Sequence, residues 1–138
     1  MQMQMKESDE HFRVLFESFD EGVATVEVLF EESDRAIDYR FLAVNRAHQV
    51  MSGLGSEVVR KRIREVMPDV DPSVIQRLGK VALTGEPVRF EDYIPSVNRW
   101  FEVYLSRLGP QGSRTVVSVS KDITERKQAE GVARMFAA

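Results

Sequence analysis

Between Thr115 and Glu130, in the stretch TVVSVSKDITERKQAE, the chain changes its repeat without pausing for a loop. Val117 and Val119 alternate with Ser118 and Ser120, the period of a pleated backbone with one buried face. Asp122 then has Glu125 three residues on, the spacing of a capping box, in which each side chain satisfies an orphan backbone N–H at a helix start. From Glu125 to Ala138 the residues favour a helix apart from Gly131. A strand that turns directly into a helix sends that helix off the body of the domain. A tight joint between rigid elements transmits displacement, whereas a long flexible one absorbs it. The junction is therefore expected to act as an output lever.

The rest of the chain supplies what this strand pairs with. In residues 11–20, Phe12, Leu15, Phe16 and Phe19 stand at i, i+3, i+4 and i+7, one apolar helical face that Glu21-Gly22 ends. Residues 22–30 read as a strand with Ala24, Val26, Val28 and Phe30 on one side, EESDRA (31–36) as a polar turn, and 37–44 as the returning strand. Asn45 is placed to cap a short helix, RAHQVMSGL, ended by Gly53 and Gly55. Ser56 is placed to cap a second, EVVRKRIREVM, stopped by Pro68. Asp71-Pro72, an N-cap followed by proline, opens a third that runs to Thr84-Gly85. Three more strands follow at 88–94, 100–108 and 115–123. In the middle one, Phe101, Val103 and Leu105 form a wholly apolar face, while Trp100, Glu102 and Tyr104 form an amphipathic one that needs a cover, either the phenylalanine helix or a second protomer. Strands grouped at both ends of a helical insert argue for an α+β fold with one five-stranded antiparallel sheet and helices packed on a face.

A chain of 138 residues can build one real core. Its net charge of −3, from 19 basic and 22 acidic residues well mixed along the chain, gives no basic stripe for nucleic acid. The absence of cysteine excludes disulfides, thiolate metal sites, cysteine nucleophiles and flavin–cysteinyl photochemistry. No run approaches the roughly 18–20 apolar residues of a membrane span, and MQMQMKESDE does not read as a signal peptide. The ending GVARMFAA carries no helix stop, so the chain is expected to be a piece of a longer protein cut inside a continuing helix.

Five stretches together carry a resemblance: FRVLFESFDEGV (12–23), YRFLAVNRAHQVMSGL (39–54), VALTGEPVRFEDY (81–93), NRWFEVYLSRL (98–108) and DITERKQAE (122–130). The chain resembles the PAS sensory domains with their C-terminal PAC portion, and Asp-Ile-Thr-Glu-Arg-Lys is the most specific of these motifs. The resemblance implies a five-stranded antiparallel sheet cupped by short helices around a small-ligand or cofactor cavity, with an N-terminal amphipathic helix and a C-terminal signalling helix. It also implies a non-catalytic, cytoplasmic regulatory input to a histidine kinase, a diguanylate cyclase or a similar output domain that this chain lacks. The division expected is a disordered tail at 1–10, the sensor domain at 11–123, and the start of the output helix at 124–138.

The resemblance also assigns roles. Asp122, Ile123 and Thr124, with Trp100, are expected to transmit the signal. Phe41, His48, Met51, Ile75, Leu78, Phe90, Phe101, Val103, Val117 and Val119, along with Tyr39, are expected around the cavity, although a filled core would use the same residues. His48 is weighed as a ligand contact against a partly buried histidine making a local hydrogen bond, and the second is preferred. Haem-binding relatives usually carry the axial ligand on the long helix before the third strand, and residues 72–84 contain no histidine. Haem and covalent flavin are therefore set aside, non-covalent flavin has no signature here, and the cofactor stays open; no metal site is expected. Asn45 reads as a cap, and Arg60-Lys61-Arg62 with Arg64 as the wet face of a helix. A homodimer is expected, since Ala129, Val132 and Phe136 make a short seam that Gly131 interrupts. Two readings remain: a sensor of a small molecule, and a ligand-free dimerisation and relay module. A small open-cone enzyme, with His48 as its only histidine placed for proton transfer, leaves the 122–127 junction without a role.

Overall fold

Gly22–Phe30 (β1), Ala36–Val44 (β2), Val88–Ile94 (β3), Arg99–Leu108 (β4) and Thr115–Asp122 (β5) form one antiparallel sheet in the order β2-β1-β5-β4-β3. The first and last strands of the chain thus meet at the centre, from Gly22 opposite Ser120 to Glu27 opposite Thr115. The computed structural model describes residues 10–11 and 13–137, without the side chain of residue 137. Residues 10–11 and 13–18 are helical (α1). The tail expected at 1–10 lies outside the described residues except for Glu10, as does Phe12.

Residues directly opposite each other in antiparallel strands share a face, so the register assigns each side chain. Ala24 opposite Ser118, Val26 opposite Val116, and Val103 opposite Ser120 build the inner face. Val23 opposite Val119, Thr25 opposite Val117, and Tyr104 opposite Val119 build the outer one. Arg46–Ser52 (α2), Ile63–Val66 (α3) and Pro72–Thr84 (α4) belong to the inner side, where Val28, Ile75 and Val116 are wholly buried. The helix α4 presents Ile75, Leu78, Val81 and Ala82 to the sheet. It can lie this close because residue 79 is glycine: a Cβ there would come within 2.6 Å of the Cβ of Ala36.

The caps act as their sequence suggests. Asp71 accepts from the Ser73 N–H at the start of α4, with Pro72 at the first position, and Gly85 closes it in the left-handed conformation at φ 73°. The second helix expected, over 57–67, does not form as one piece. Ser56–Val58 makes a single 3-10 turn, and Arg60 takes a positive φ of 73°. The chain then pairs with β2: Arg60 N–H donates to the Phe41 carbonyl, Phe41 N–H donates to the Lys61 carbonyl, and Arg62 bridges Arg40. Edge pairing with β2 outcompetes helix continuation, so only the four residues of α3 remain helical. The basic run is therefore a strip along the sheet edge rather than a helical face.

Candidate functional site

The strand-to-helix corner is closed by reciprocal hydrogen bonds. Thr124–Ala137 (α5) starts two residues after the end of β5. Ile123 N–H donates to the Trp100 carbonyl (2.9 Å), and Trp100 N–H donates to Thr124 Oγ1 (3.0 Å). Thr124 N–H in turn donates to Asp122 Oδ1 (2.9 Å), while Asp122 Oδ2 lies 3.3 Å from the Arg99 guanidinium. Ile123 and Thr124 are buried. Five residues, from two strands, the single residue between strand and helix, and the start of the helix, thus hold one another. Partial burial raises the Asp122 carboxyl, but the Thr124 hydrogen bonds and Arg99 outweigh it and leave the group below its ordinary value. The capping geometry differs from the expected box: Asp122 serves Thr124, two residues on, and the Glu125 side chain points to solvent.

Beyond this corner, α5 is held by polar contacts on its first turns. Arg126 and Lys127 both pair with Glu91 on β3, Arg126 also approaches Glu102 on β4 at 3.9 Å, and the Lys127 ammonium sits 5.0 Å over the Trp100 ring. Hydrogen bonding from Lys127 is the main reason that the Glu91 carboxyl is held below its ordinary value. From Gly131 on, the described side chains of the helix are exposed, including Val132, Met135 and Phe136. The cover for Trp100 is therefore α5 itself. The helix α1 covers a different part of the outer face, where Leu15, Phe16, Phe19, Val23, Val117 and Val119 line an open apolar groove of about 690 Å³.

Between the sheet and α2–α4 lie two adjoining cavities of about 140 and 180 Å³. The first is bordered by Phe41, His48, Leu78, Phe90 and Val103 with Tyr39, and the second by His48, Met51, Phe101 and Val103. Ile75 is wholly buried core against the same sheet face. Val117 and Val119 do not join them. They face the outer groove, and Ser118 and Ser120 occupy the inner positions of β5. The cause is that both faces of this central strand are covered, so alternation gives its period but not which set points inward.

His48 stands between the cavities, edge-on to Phe41 at 6.1 Å. Its Nδ1 is shielded from solvent and has no hydrogen-bond partner among the described residues, in place of the local bond expected. Burial lowers its pKa and so favours the neutral imidazole. Asp92, Arg77, Ser118 and Ser120 also reach the cavity walls; nothing in the pattern of their strands and helix distinguishes them from surface polar residues.

Asn45 does more than its sequence position suggested. Wholly buried, it accepts from the His48 and Val23 N–H groups through Oδ1, and its Nδ2 donates to the carbonyls of Phe16 and Glu21. One amide thereby ties α1, β1 and α2 together. An N-cap signal identifies only the first of these bonds, because the others cross more than twenty positions of sequence.

Residues 36–128 match the family described as the PAS fold. Among solved structures, the chain is similar to the PAS domain of an HTR-like protein from Haloarcula marismortui, at 21% identity and a TM-score of 0.61, covering 88% of this chain and 97% of that one. It is similar to the PAS domain of BvgS from Bordetella pertussis, at 19% identity and a TM-score of 0.59 over the whole of both chains. A light-oxygen-voltage protein of Rhodobacter sphaeroides aligns at 11% identity and a TM-score of 0.62, covering 93% of this chain and 73% of that one. No curated protein matches the chain. At these identities the structural likenesses speak for the backbone alone, while the sequence match runs over more than half of the chain and across four of the five strands. The chain therefore belongs to the PAS-fold family.

Proposed function

We propose that this domain is the regulatory input of a signalling protein, non-catalytic in itself, in which the state of the inner cavities or of the outer face is passed to an output domain through α5. An output domain of the histidine kinase or diguanylate cyclase kind and a cytoplasmic setting fit this reading. The observation that carries it is the corner around Thr124. Trp100, on the outer face of β4, is hydrogen-bonded through its carbonyl to Ile123, the residue before α5, and through its N–H to Thr124, the first residue of α5. Its neighbours Phe101 and Val103 line a cavity on the other face. A shift of β4 on ligand binding therefore has a rigid route to the helix, and the ligand biases the equilibrium by its differential affinity for the two states. The test is hydrogen exchange across residues 122–127 with and without ligand, after native mass spectrometry of freshly purified protein has identified what it retains. Altered exchange is expected; unchanged exchange with a bound ligand removes the lever.

A second reading, a ligand-free dimerisation and relay module, draws on the outer groove and on Leu15, Phe19 and Leu108, each 43–50% exposed. Both readings expect a homodimer, with one or both terminal helices at the interface. The same native spectrum separates them: a dimer that retains no small molecule favours relay, and a monomer at tens of micromolar argues against the shared dimer.

A further inference from the structure

The inner cavity has an acid and a base on its wall that the protein leaves unpaired. Asp92, on the inner side of β3, borders both cavities, and Arg77, from α4, borders the first. Among the described residues neither makes an ion pair or a side-chain hydrogen bond, although Arg77 acts on the Asp71 carboxylate from a distance. Several other charged side chains of the sheet do pair: Arg40 with Glu27, Arg89 with Glu102, Arg99 with Asp122. The Arg77 guanidinium lies over the Phe90 ring at 3.9 Å, which fixes the plane of a fork suited to carboxylate. The shielded Nδ1 of His48 completes a set of polar groups that a wholly apolar guest would leave unsatisfied.

We propose that the first cavity takes a small zwitterion, an amino acid or close analogue, with its carboxylate on Arg77, its ammonium on Asp92, and its carbon body against Phe90 and Val103. This rests on the ligand-sensing reading above and names the ligand class for it. The volume of about 140 Å³ is below the roughly 300–1,000 Å³ of sites for drug-sized molecules, so the zwitterion is a compact one. A singly charged molecule would satisfy one wall and leave the other charge unpaired, which sets the selectivity.

The test is calorimetry and thermal melting of the unaltered protein with glycine, β-alanine, γ-aminobutyrate and the aliphatic L-amino acids, against butyrate and butylamine at equal concentration. At least one zwitterion is expected to bind and raise the melting temperature, with both singly charged probes weaker by about ten-fold or more. Arg77→Met and Asp92→Asn are each expected to weaken the zwitterion by a similar factor, while their ligand-free melting stays near that of the unaltered protein. If butyrate or butylamine binds as well as any zwitterion, or if binding survives both substitutions, the zwitterion assignment is overturned and cavity sensing stands. If no probe binds but native mass spectrometry finds another kind of retained molecule, the assignment again falls alone. If no probe binds and nothing is retained, both readings fall together.

Discussion

The two faces of the sheet are covered by contacts of different kinds. On the inner face, α4 buries Ile75, Leu78, Val81 and Ala82 in an apolar core. On the outer face, α5 is held at the sheet by a few hydrogen bonds at residues 122–124 and by ion pairs from Arg126 and Lys127. Apolar burial is strong and insensitive to salt, whereas exposed ion pairs contribute little and are screened. The inner cover thus holds the fold together, and α5 can be exchanged from the outer face at small cost, as an element that moves must allow.

The largest effect should follow from breaking the inner cover. Ile75→Ala is expected to cost about 2–5 kcal/mol, read as a lowered denaturant midpoint; a loss below 1 kcal/mol would mean that α4 is no better anchored than α5. Asn45→Ala removes a cap and orphans the buried Val23 N–H, for about 2–4 kcal/mol, and should also free α1 to exchange its amide hydrogens. Thr124→Val keeps the shape of the corner but deprives Trp100 N–H of its acceptor. It should cost about 1–2 kcal/mol, with faster exchange at the Trp100 amide and little change in the core.

Acid sharpens the contrast further. Asp122 and Glu91 are both held below their ordinary carboxyl values in the fold. Their contribution is complete above the unfolded range near pH 4–4.5 and is lost as pH falls through the lower folded values. Trp100 is the only tryptophan in the chain, so its emission, with the Lys127 ammonium overhead, reports this release. Glu91→Gln should give the smallest change, with melting unaffected and the acid response of Trp100 reduced. A full acid response in that variant would put the titrating group elsewhere.

Most of the architecture was legible because its signals are local. Asp71-Pro72 and Gly85 bound α4 where the sequence puts them, and the alternation from Phe101 to Leu105 sorts β4 correctly. What was not legible depends on partners distant in sequence. Val117 and Val119 read as cavity residues until the register with β1 put Ser118 and Ser120 inside. The helix expected after Ser56 is broken at Arg60 by hydrogen bonds to Phe41, which no local propensity encodes. The corner residues 122–124 were identified from sequence, yet the hold that Glu91 has on α5 spans thirty-five positions and was not.

The segment 60–62 that runs beside β2 has a consequence for how the molecule meets others. By occupying the outer rim of β2, it blunts one of the two sites at which a stray peptide strand could add to the sheet. The opposite rim belongs to β3, whose alternate residues Arg89, Glu91 and Tyr93 are exposed and whose chain carries charge of both signs. Growth of the sheet from copy to copy is thereby obstructed on one flank by backbone and discouraged on the other by charge, which directs association toward the broad faces.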